Sequence, residues 1–270
     1  MRKRRIKNVC KWVRKKIHIV TEDKVEIWET DCKMPMLGNH NSRSKSIKAT
    51  SDTVKKINEI HSIENCQAML EMNFKPGDWH IALTYNDDNY IADKDTVMKR
   101  ARQFVEKLRR WCRKHDIELK YLTMDERGVK SKRWHHHFVL PAEIPIQVIR
   151  DVWKYGFVRL LNCLYEDNEK GFHDLAAYYV DKTKGGRKED DRQPRERRYR
   201  FSRNCVKPKV TYEAMYSHSW TDKPPMGMVE KPGSRYEFVM ADGNYPCRKI
   251  KWVGGNQTCK KTKGGVKLRC

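Results

Sequence analysis

The stretch Arg133-Trp134-His135-His136-His137-Phe138-Val139-Leu140 limits the possible folds more than any other part of the chain. Read with the two-residue period of a β-strand, Trp134, His136, Phe138 and Leu140 share one side, and Arg133, His135, His137 and Val139 share the other. Three large apolar groups mark the first side as the buried one. His135 and His137 then stand together on the opposite side, close enough to hold one metal ion through neutral imidazoles. His136 takes a core-facing slot that an apolar residue would ordinarily fill. Which two of the three imidazoles meet a metal stays open at this level.

Period and punctuation supply the neighbouring elements. Pieces such as Ile17-His18-Ile19-Val20 and Val25-Glu26-Ile27-Trp28 predict a strand pair near the N-terminus. A helix is expected from Ser51 or Asp52 toward Phe74, stopped by Lys75-Pro76-Gly77-Asp78. Trp79 to Tyr85 then reads as a core strand, with Trp79, Ile81 and Leu83 on one face and His80, Ala82 and Thr84 on the other. An amphipathic helix capped at Asp93 or Asp95 carries Val97, Ala101, Phe104, Leu108 and Cys112 on its apolar stripe. Ile117 to Met124 is the expected second core strand, with a turn beginning at Asp125-Glu126-Arg127-Gly128. A short helix (Pro145 to Trp153), a strand (Gly156 to Leu160) and a helix (Phe172 to Lys182) follow. This order describes an α+β fold, a small antiparallel sheet with helices packed on one face and the histidines on the other, free face.

Charge narrows the partner. The 270 residues carry 58 Lys and Arg against 35 Asp and Glu, a formal charge of +23, which points to a polyanion and first to nucleic acid. No apolar run is long enough to span a bilayer, so no membrane partner is expected. The basic N-terminus lacks the apolar stretch of a secretory signal, and nine cysteines without a Cys-x-x-Cys pair fit reduced thiols; the expected location is the cytoplasm. Four segments are expected: residues 1–75 as a strand pair and helix, 76–184 as the catalytic core, 185–259 as a basic C-terminal region, and 260–270 as a disordered basic tail. Arg133, together with Arg187, Arg195, Arg197, Arg198, Arg200 and Arg203, forms the candidate DNA-backbone set.

Three short motifs occur in a suggestive order: Leu83-Thr84-Tyr85, His135-His136-His137, and Tyr179-Val180-Asp181-Lys182. Together they resemble the HUH endonucleases, and among these the rolling-circle replication initiators of bacterial phages and plasmids. The resemblance covers roughly Trp79 to Lys182; the middle histidine departs from the usual apolar residue. It implies a nuclease using Mg²⁺ or Mn²⁺, held by His135, His137 and an acid for which Glu126 is the first choice and Asp125 the fallback. It further implies a tyrosine nucleophile, Tyr179 by the Tyr-x-x-Lys motif with Lys182 assisting. Tyr178, four residues before Lys182, shares a helix face with it and is the alternative.

The implied reaction is nicking and rejoining of one strand of origin DNA through a 5′-phosphotyrosine intermediate. A relaxase, a transposase or a non-catalytic basic DNA-binding protein are the alternatives. No Gly-x-x-x-x-Gly-Lys-Ser/Thr loop occurs in the sequence, so a host helicase is an expected partner.

Overall fold

The computed structural model describes residues 12–22, 24–33, 52–128, 131, 133–161, 171–180, 198–214, 224–239 and 246–255. In chain order these form β1 (Trp12–Val20), β2 (Lys24–Lys33), α1 (Asp52–Asn73), β3 (Trp79–Thr84), α2 (Lys94–Lys114), β4 (Leu122–Arg127) and β5 (Trp134–Leu140). They continue as α3 (Ile146–Val152), β6 (Val158–Leu161), α4 (His173–Val180), β7 (Tyr199–Phe201), β8 (Lys209–Ala214), β9 (Val229–Glu230), β10 (Tyr236–Val239) and β11 (Pro246–Gly255). No described helix is long and apolar enough to cross a membrane.

The chain divides into two compact units, residues 50–207 and residues 1–49 with 208–270. The segment expected over residues 1–75 is therefore shared between them. Two strands alone bury too little to be stable. In the second unit β1 and β2 gain partners from the far end of the chain, in an antiparallel sheet ordered β10-β11-β2-β1-β8 with β9 beside β11. Helix α1 belongs to the other unit. The tail over residues 260–270 lies outside the described residues.

The unit of residues 50–207 is built on the antiparallel sheet β6-β3-β5-β4-β7. Its α+β class agrees with the pattern read from the sequence. Asp93 caps α2, accepting from Thr96 N at 2.8 Å, and the apolar stripe Val97, Ala101, Phe104, Leu108 and Cys112 is buried. That stripe packs with α3 on the face made by Ile81, Leu83, Phe138 and Leu140. The opposite face is not left free: Leu122, Met124 and Val139 are covered by Cys66, Leu70 and Phe74 of the α1 segment and by Leu175, Ala176 and Tyr179 of α4. An apolar half-face must be removed from water, and the long N-terminal helix does this beside the tyrosine helix.

The second core strand also starts later than its propensity suggests. Residues after α2 turn back, with Asp116 at φ 53° and Ile117 N donating to Cys112 O, and β4 begins only at Leu122. It then runs through Asp125 and Glu126 rather than turning at them, so pairing with β5 sets the phase of both acids.

Candidate metal and tyrosine site

Register brings the site together. Glu126 of β4 lies directly opposite His135 of β5, and Met124 opposite His137. On the other flank Thr84 and Ala82 of β3 oppose His135 and His137. Opposed residues of an antiparallel pair project from one face, so Glu126, His135 and His137 share a face. Glu126 Oε2 lies 3.4 Å from His135 Nε2 and 3.2 Å from His137 Nε2. One donor atom from each of the three side chains falls within 4.8 Å of the others, the one such three-residue cluster among the described residues. The set opens toward His135, whose side chain is 23% exposed against 5% for His137. Two imidazoles and a carboxylate fit a divalent cation and leave coordination positions for a substrate oxygen.

The fallback acid faces away. Asp125 opposes His136 on the core side, where Nδ1 of the fully buried ring donates to Asp125 Oδ1 at 2.6 Å. A carboxylate can only accept, so Nδ1 carries the hydrogen; Nε2 lies 2.9 Å from the Tyr85 hydroxyl. Arg200 of β7 holds the second oxygen of Asp125. Burial pushes the Asp125 carboxyl up, but His136 and Arg200 together keep it below the usual carboxylate range. His136 thus occupies its core slot because polar partners meet it there, and His135 and His137 are the pair on the site face.

The adjacent tyrosines part company on α4. The sequence motif favours Tyr179, but its ring is fully buried between sheet and helices, and its hydroxyl has no hydrogen-bond partner among the described residues. Burial, reinforced by Tyr178 and Cys66, raises its ionisation well above that of a free phenol. Leu175, Ala176 and Tyr179 form the packed stripe of the helix, so the face that Tyr179 shares with Leu175 is the core face. Tyr178 is half-buried on the flank, and its hydroxyl lies 3.1 Å from His137 Nε2. Asp181 and Lys182 fall outside the described residues.

Both ends of α4 are held by charges from elsewhere in the sequence. Glu71 of α1, 3% exposed, accepts from Phe172 N at 3.1 Å at the N-terminus. Arg198 donates to Val180 O at 2.7 Å at the C-terminus. Each sign matches the helix dipole. Neither role is legible in the sequence, which groups Arg198 with the DNA contacts and does not single out Glu71. His80 is a further neighbour that the sequence reading misses: 3% exposed, its ring centroid is 5.6 Å from that of Tyr178 and 6.1 Å from that of His137. Its phase with Thr84 in β3 is the signal that could have found it.

Of the remaining arginines, Arg133 pairs with Asp87 and sits 5.2 Å from the Tyr90 ring, and Arg203 is exposed. Arg187, Arg195 and Arg197 lie outside the described residues.

No curated protein and no solved structure matches the chain. Residues 78–184, the stretch from the residue before β3 to just past α4, match the family model of the ORF2-type replication-associated proteins.

Proposed function

We propose that the chain initiates rolling-circle replication by nicking and rejoining one strand of origin DNA in the manner of an HUH endonuclease, with Tyr178 as the nucleophile. The observation carrying the reading is the Tyr178 hydroxyl 3.1 Å from Nε2 of His137, within the cluster that could hold a cation. The replication-associated family match over the same segment supports it.

Glu126, His135 and His137 would hold Mg²⁺ or Mn²⁺, which supplies positive charge for the non-bridging oxygens of a scissile phosphate. The Tyr178 oxygen then attacks phosphorus, the bond from phosphorus to the 3′-oxygen breaks, and the phenol proton is balanced by the one gained at the freed 3′-hydroxyl. The product is a 5′-phosphotyrosine ester. One phosphodiester replaces another, so the reverse attack by a 3′-hydroxyl reseals the strand without ATP. Tyr179 contributes packing, and Arg133 and Arg203 are the described members of the DNA-backbone set that reach solvent.

Incubation with labelled single-stranded DNA and Mn²⁺, followed by denaturing electrophoresis, tests the assignment. A covalent adduct is expected from the wild type and from Tyr179→Phe, and none with EDTA or from Tyr178→Phe. An adduct that survives Tyr178→Phe overturns the nucleophile, and an adduct indifferent to EDTA overturns the role of the metal.

A further inference from the structure

Beside the histidine strand the sheet ends at β6, and the residues at its start carry an aromatic and a cation on the site face. Thr84 N donates to Phe157 O at 2.9 Å and Phe157 N to Thr84 O at 3.1 Å, so these two residues form a hydrogen-bonded antiparallel pair. The next pairs along the ladder are Leu83 with Val158 and Ala82 with Arg159. Thr84 in turn opposes His135, and Ala82 opposes His137. Two cross-strand rows result, Phe157-Thr84-His135-Glu126 and Arg159-Ala82-His137-Met124, all projecting from one face. Two strand spacings separate Phe157 from His135, about 10 Å.

Phe157 is 62% exposed and Arg159 is exposed, whereas Val158 between them packs into the opposite core. A single exposed aromatic needs no explanation by itself. Here it stands in the same row as the cluster, beside a guanidinium, with only the small side chains of Thr84 and Ala82 between them and the histidines. The chain's charge of +23 selects a polyanion as occupant.

We propose that Phe157 and Arg159 form a nucleotide subsite for single-stranded DNA, Phe157 stacking on a base next to the scissile phosphate and Arg159 meeting the backbone. The subsite rests on the nicking function proposed above. Its chemistry is sequence-tolerant, because every base presents a π-face.

The test is anisotropy of labelled oligothymidylate, and of the same backbone with abasic sites, measured in EDTA so that no cleavage intervenes. Phe157→Ala should weaken binding to oligothymidylate by about tenfold and leave the abasic strand unchanged. Phe157→Trp should restore binding. Arg159→Ala should weaken both probes and lower the slope of log K against log salt by about one. Equal binding of oligothymidylate by wild type and Phe157→Ala overturns the subsite, as does equal loss on both probes. Unchanged Mn²⁺ binding by the Phe157 variants verifies that they are folded. Because no cleavage is read, these results are separate from the adduct assay: loss of the adduct assignment with intact stacking refutes the nuclease reading, and the converse refutes only the subsite.

Discussion

Removing the Glu71 carboxylate should loosen the helix that carries Tyr178 without touching any residue of the site. Phe172 O accepts from Ala176 N at 2.9 Å, which makes Phe172 the residue where α4 begins, and its own N–H is met by Glu71 Oε1. In many helices a glutamate three residues onward reaches back to this N–H. Here α1 supplies it across the interface. The fit is close, since a Cβ on Gly171, at φ +53°, would stand 2.2 Å from Glu71 Oε1. A hydrogen bond to a charged group contributes about 1.5–3 kcal/mol, and an anion at a helix N-terminus adds up to about 1 kcal/mol or somewhat more when partly buried. Glu71→Ala should therefore cost roughly 3 kcal/mol, and Glu71→Gln, which keeps a neutral acceptor, roughly 1 kcal/mol. Hydrogen exchange of the α4 amides is the direct assay. Where they exchange through local opening, Glu71→Ala should speed them by about 100-fold, and adduct formation should fall because Tyr178 is less often aligned. Wild-type exchange in α4 of the alanine variant refutes the reasoning.

Gly156→Ala should separate β6 from β3, because the new Cβ would lie 2.2 Å from Thr84 O and 2.6 Å from Asn86 N, backbone atoms that cannot swing aside; a loss of about 1–3 kcal/mol in urea unfolding is expected. His136→Leu removes the partner of Asp125 and of the Tyr85 hydroxyl at once, so thermal unfolding should show a loss of roughly 2–4 kcal/mol, while Mn²⁺ binding measured below the new midpoint stays close to wild type. In the other unit, burial, with Lys251 and Lys15 adding repulsion, pushes Lys249 down to about 8. Between that value and the ordinary lysine range the unfolded chain binds the extra proton, so stability should climb with pH across this window, and Lys249→Met should abolish the climb and raise stability at pH 7 by up to roughly 3 kcal/mol. Parallel pH profiles for the two proteins are the result against it.

The sequence is most legible where one signal acts alone. Asp93 and the stripe from Val97 to Cys112 specify α2 without tertiary help, and strict alternation identifies the faces of β3 and β5. Legibility fails where packing decides. Residues 117–121 have strand propensity but are spent in the return from α2, so β4 carries Asp125 and Glu126 within the strand, where a turn is expected from the sequence. Tyr178 and Tyr179 differ by one helical step of about 100°, and a motif spacing does not reveal which side α1 and the sheet will cover. The pairing of β1 with β8, nearly two hundred residues later in sequence, has no local signature either.

The placement of three histidines in a row becomes intelligible once both faces of β5 are considered together. A one-residue slip of a strand sends every side chain to the other face. In this sheet a slip of β5 would drive His135 and His137 into the apolar layer of Phe104, Leu108 and Trp153, and bring His136 out opposite Glu126. An imidazole would still face the carboxylate, so the cluster face alone discriminates weakly between registers. The core face discriminates strongly: only the observed register lets His136 meet both Asp125 and Tyr85 while Asp125 also meets Arg200 of β7. Buried polar groups left unmatched by a slip would each cost about 1–3 kcal/mol. The buried histidine therefore fixes the pairing of β4, β5 and β7 from below, and Glu126, His135 and His137 inherit their convergence from it before any cation arrives.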